Sequence, residues 1–180
     1  MRIWGFRQKV SSAERQVATA YFRSICDLIY RLKKDYKQNE EFYNRVIRAI
    51  IHVGYSFTST EIQQLEESAN RAKRSAKLAS YIINKHNTIA EDIKIPKIAR
   101  RTHKAWSEAF MKYFILTEHC WKQANLLCRH NRITFEMLLE SLPVDKSDFD
   151  NAFSNAFNKV KKLARLIEIS DQEFDSRLSQ

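Results

Sequence analysis

The side chains whose types and spacing are suited to chemistry are concentrated between Arg71 and Lys104, in the run RAKRSAKLASYIINKHNTIAEDIKIPKIARRTHK. Arg71, Arg74, Lys77 and Lys85 fall at helical intervals with Tyr81 set among them, and Lys97, Arg100, Arg101 and Lys104 follow at similar density. The chemistry on offer is not bond-making. Guanidinium and ammonium groups so spaced neutralise successive phosphates of a polyanion, and a tyrosine among them can stack on an unpaired base. The run holds ten Lys/Arg against two acids, Glu91 and Asp92, and none of the acids lies between Arg71 and Lys85. On a helix kept merely soluble, glutamates would alternate with the cations four residues apart. Crowded like charges repel, and a phosphate backbone would relieve that repulsion.

Two other constellations bear on catalysis. Arg45 and His52 form R-x6-H, a spacing that resembles the Arg/His pair of the HEPN helical ribonucleases. That resemblance implies two side chains, paired across a dimer, acting on the RNA 2′-hydroxyl and the scissile phosphate. The plainer reading is an exposed arginine and a histidine near a helix C-terminus, where the dipole favours its protonated form. His119, Cys120, Cys128 and His130 have metal-ligand chemistry but the wrong phase. On a helix, neighbours diverge by about 100° and Cys128 and His130 by about 200°, so four donors cannot converge. Neither a glycine-rich phosphate loop nor G-x-S-x-G, H-E-x-x-H or paired Glu-x-x-His is present. The expectation is a binding protein with no catalytic residues, no metal and no cofactor.

The elements that position the basic run read as helices throughout. Gly 2 and Pro 2 in 180 residues leave almost no hairpin punctuation. The fold expected is all-α: an antiparallel helical bundle of five to seven helices with a long central helix, in one domain over 1–180. Residues 1–10 form an N-terminal extension whose Trp4 and Phe6 dock on the bundle or on a partner, and 170–180 a short acidic terminal helix. The capping box Ser11-Ser12-Ala13-Glu14 starts a helix to about Tyr36, and Asn39 with Glu40 and Glu41 opens a second that Gly54 closes. Thr58 to Glu61 cap a third, whose seam Ile62, Leu65, Ala69, Ala72, Ala76, Ala79 and Ile83 has coiled-coil steps. On that register Arg71, Arg74, Lys77, Tyr81 and Lys85 face away from the seam. Residues 86–95 read as a connection. Pro96 suits the first turn of the central helix, whose seam is Trp106, Phe110, Tyr113, Thr117, Cys120, Ala124 and Leu127, with Phe114 and Trp121 widening it. A short helix from Thr134, a longer one capped by Ser147 to Asp150 and a last one capped by Ser170 complete the chain. Lys159, Lys161, Lys162 and Arg165 give that longer helix a smaller basic patch.

The formal net charge is +10 and the pI about 9.6, which favours a polyanionic partner. Three cysteines without a C-x-x-C pair point to free thiols and a cytoplasmic setting. No segment reaches the roughly 18 apolar residues of a membrane span. A basic, all-helical chain of this size without an active-site motif resembles the small helical belly subunits of CRISPR-associated effector complexes. That resemblance implies several copies side by side within a ribonucleoprotein, binding single-stranded DNA or RNA by backbone and shape and steadying the displaced DNA strand. It would place Arg71, Arg74, Lys77, Lys97, Arg100, Arg101 and Lys104 on the strand. Two readings stand beside it: an oligomerising RNA-binding adaptor of another enzyme, such as a retroelement accessory protein, and the HEPN-like ribonuclease using Arg45 and His52.

Overall fold

The computed structural model describes residues 10–49, 58–130 and 146–179, and side chains within these except 45–49 and 130. Five α-helices and no strand occur among the described residues: α1 (Ser12–Ala49), α2 (Ser59–Ile93), α3 (Arg100–His130), α4 (Lys146–Leu166) and α5 (Asp171–Ser179), with a 3-10 turn at Lys97–Ala99. The chain is an all-α helical bundle. Central α3 lies between α2 and α4, α1 packs across α2, and α5 closes on α1 by stacking Phe174 against Phe22. Partner residues run in opposite numerical order along neighbouring helices. Asn39 meets Ser75 while Arg31 meets Tyr81, and His86 meets Ser107 while Lys73 meets Trp121, so α2 is antiparallel to both α1 and α3.

The expected cap of α2 is formed: Thr58 Oγ1 accepts from the Glu61 amide, and the Glu61 carboxylate accepts from the Thr58 amide at 2.8 Å. Ser11 and Ser170 likewise accept from the amides of Glu14 and Glu173 at the starts of α1 and α5, but the expected boxes are not closed there, because the Glu14 carboxylate accepts from the Ile98 amide and that of Glu173 from Arg177. The α3 seam from Trp106 to Leu127 is buried throughout, with Phe114 and Trp121 half-buried beside it. Residues of all five helices join one hydrophobic core, in which each fully buried large apolar side chain contributes about 1.5–3 kcal/mol.

Four expectations need correction. The first two expected helices are one, 38 residues long and spanning about 57 Å. Asn39 does not open a helix, because its side chain turns inward and donates to the Asp35 carbonyl at 2.8 Å and to Ser75 Oγ at 3.2 Å. A polar group so satisfied can sit inside a helix at a helix contact. The expected connection after Lys85 is also helical, since buried His86 and Ile89 carry the inward stripe of α2 on to Ile93. The chain leaves α2 only at Lys94, which caps it in the left-handed region at φ 50. The seam of α2 passes through buried Ile82 and leaves Ile83 half-buried, because a straight helix drifts against a heptad repeat. Ser147 lies within the first turn of α4 rather than ahead of it. Trp4, Phe6, His52, Gly54 and the helix expected from Thr134 lie outside the described residues.

Candidate nucleic-acid interface

The row expected on α2 is built as the sequence implied, from a small inner side and a cationic outer one. Ala69, Ala72, Ala76 and Ala79 are buried against the bundle, and alanines at helical spacing let α3 approach closely. Arg71, Arg74, Lys77, Tyr81 and Lys85 are all exposed on the remaining turns. The side chains of Arg71, Lys73, Arg74 and Lys77, with Asn70 and Glu67, bound an open depression of about 580 Å³. Among the described residues none of Arg71, Arg74, Lys77 and Lys85 forms an ion pair, although Glu67 stands one turn before Arg71.

Four acids of the C-terminal part are engaged elsewhere. Asp148 pairs with Lys112, Asp150 with Lys146, Glu168 with Arg15 and Glu173 with Arg177. Among the described residues, no acid of the C-terminal part forms an ion pair with the α2 row.

Lys97, Arg100, Arg101 and Lys104 are also exposed, but they belong to a different surface. They occupy the 3-10 turn and the first turns of α3, at or beyond the level at which His103 stacks on His86. About 15 residues of α2 separate that level from Arg71, or roughly 22 Å along the axis. Arg100 and Lys104 head the solvent-facing row of α3 that continues through Glu108, Met111 and Ile115. The expected ridge is thus two basic clusters, one at the middle of α2 and one past its C-terminal end, with Tyr81 and Lys85 between them.

Two features of this surface were not readable along the chain. The Arg31 guanidinium of α1 lies 6.0 Å from the centroid of the Tyr81 ring, which is itself 48% exposed. The Lys73 ammonium lies 5.6 Å from the centroid of the half-buried Trp121, so that tryptophan marks the edge of the core. The only local signal for Arg31 is its place near Tyr30 and Lys34 on one side of α1. The smaller patch is less free: Lys162 and Arg165 are exposed, while Lys159 and Lys161 are half-buried.

The other candidates divide. The side chains of Arg45 and His130, and all of His52, lie outside the described residues, whereas His119 is half-buried and Cys120 fully buried. Burial pushes the Cys120 thiol up to about 12 and holds His119 below the usual histidine range. No group of three metal-ligating side chains occurs among the described residues, and no described helix is long and apolar enough to cross a membrane. Neither a family model, nor a curated protein, nor a solved structure matches this chain.

Proposed function

We propose that this chain is a binding subunit rather than an enzyme, and that it grips the phosphate backbone of single-stranded nucleic acid through the outer row of α2. The reading extends to a place beside other subunits, possible copies of itself included, in a cytoplasmic ribonucleoprotein of the CRISPR effector kind. One observation carries it: Arg71, Arg74, Lys77 and Lys85 stand together on an exposed face, unpaired among the described residues, above an alanine seam that fixes their direction. Leaving four cations uncompensated on one helix costs stability, and counterion release on meeting a phosphate backbone recovers it. Nothing in the row is shaped to read base edges, so recognition by backbone and charge is the expected mode.

Filter binding against single- and double-stranded DNA and RNA tests this. If about six phosphates of a single strand are engaged, affinity falls by roughly 300-fold between about 50 and 200 mM salt. Affinity independent of salt, or absent for every nucleic acid at the lower salt, overturns the reading. RNA cleavage abolished by His52→Ala would move the assignment to a ribonuclease.

A further inference from the structure

Beside the α2 row a cleft of about 430 Å³ opens between α1 and α2, lined by Asp27, Tyr30, Arg31, Lys34, Gln38 and Leu78; Tyr81 is not part of this lining but follows Leu78 by three residues and meets Arg31 at the cleft's edge. Its size is within the range of small-ligand sites, and its lining is unlike that of the row. Two cations, Arg31 and Lys34, are matched by two acids, Asp27 and Asp35, so the cleft has little net pull on a phosphate. What it offers is flat surface and mixed hydrogen-bonding groups. Arg31 lies 6.0 Å from the Tyr81 ring centroid, and Lys34 lies 5.8 Å from that of Tyr30. Asp35 already accepts from the Tyr113 hydroxyl and from Asn39. Asp27 and Gln38 have no hydrogen-bonding partner among the described residues, which leaves a carboxylate acceptor and an amide donor and acceptor at the rim.

We infer that this cleft receives an unpaired nucleobase of the same strand whose phosphates lie on the α2 row. The inference rests on the proposed binding of single-stranded nucleic acid and assigns the part of the strand that the row cannot hold. At the edge of the cleft the base stacks on the exposed face of Tyr81 and the guanidinium plane of Arg31. Its exocyclic amine, where it has one, donates to Asp27, one helical turn before Arg31 on α1. Tyr81 follows Lys77 by four residues, about one helical turn, so the base in the cleft and a phosphate at Lys77 belong to neighbouring positions of one strand. A paired base in a duplex has neither its face nor its Watson–Crick edge free, so the cleft makes the protein discriminate against double strands. The row alone does not.

Fluorescence anisotropy with a labelled single strand of about twenty nucleotides, the same strand with its bases removed, and the corresponding duplex tests the assignment at about 50 mM salt. The wild-type protein is expected to bind the base-bearing strand roughly 5- to 150-fold tighter than the abasic one, the range of one stacked base. Tyr81→Ala and Arg31→Ala each remove most of that difference, and Tyr81→Phe restores it for the first. Equal affinity of the wild type for base-bearing and abasic strands, with both weakened by replacing Arg71, Arg74 and Lys77 together, overturns the cleft and leaves the row standing. Absence of binding to every strand overturns both. A free nucleoside monophosphate that binds as tightly as the whole strand makes the cleft a mononucleotide site and overturns the assignment to a strand.

Discussion

His86 of α2 and His103 of α3 stack with ring centroids 4.2 Å apart and planes 19° from parallel. His86 is 1% exposed, and its Nε2 has no partner among the described residues. Its Nδ1 lies 3.5 Å from Ser107 Oγ, and Phe110 packs edge-on to the ring. Burial, and secondarily the neighbouring His103, hold the His86 ring down to about 3, and burial also lowers His103. Two imidazoles in face contact cannot both carry charge cheaply, so the pair is a neutral contact between the two helices that carry the basic clusters.

The sign of the resulting pH dependence follows from the direction of that shift. A histidine with a folded value below its unfolded value of about 6.5 binds its proton more readily when unfolded, so acid favours unfolding. Its contribution is intact above about pH 6.5 and is lost as the pH falls from there towards 3. Between pH 7.5 and pH 5 the loss from His86 is about 2 kcal/mol. Urea unfolding of the wild type and His86→Phe at the two pH values checks this. The variant is expected to have the flatter dependence, and parallel dependences would show that His86 is not the group responsible.

Replacing Arg71, Arg74 and Lys77 together by glutamine should reduce the salt slope of single-strand binding by about two, from roughly four. Because all three are exposed, each change should alter stability by no more than about 0.5 kcal/mol. Binding titrations at several salt concentrations, read beside thermal melts of the same variants, give both quantities. An unfolded triple variant would mean that the row holds the bundle together.

The alanine seam predicts an asymmetry across a single turn of α2. Ala72 is fully buried, and Asn70, two residues before it, is exposed. Ala72→Leu should destabilise by about 1–3 kcal/mol through overpacking, whereas Asn70→Leu should stay within about 0.5 kcal/mol. Urea midpoints of the two variants decide it, and equal effects would place the seam elsewhere.

Lys94 caps α2 at φ 50, where a side chain costs about 1–2 kcal/mol and glycine costs nothing for its missing Cβ. Glycine loses part of that advantage through its greater freedom in the unfolded chain. Lys94→Gly should therefore stabilise by about 0.5 kcal/mol, and Lys94→Ala should not. A gain from both in thermal unfolding would place the effect in the lost charge instead of the backbone.

How far the sequence could be read is clearest on α1 and α2. The 3.6-residue period and the capping serines and threonines are local properties, and they located the starts of α1, α2 and α5 and the inner faces of α2 and α3. The false breaks at Asn39 and after Lys85 have one cause. Asn39 and His86 are residues that usually mark helix ends, and each is held inside a helix by a group from another part of the chain, Ser75 for one and His103 for the other. No local rule contains that partner.

Composition and periodicity by themselves determined an all-helical chain and the outward direction of the cations on α2, because both follow from which side chains recur on one face. Only the tertiary structure decided that the basic run divides into two clusters, that Asp148, Asp150 and Glu173 pair away from the α2 row, and that Arg31 meets Tyr81 at the edge of a cleft. Those outcomes depend on how one helix is placed against another. Helix placement is set by the summed fit of many buried side chains rather than by the spacing of any few.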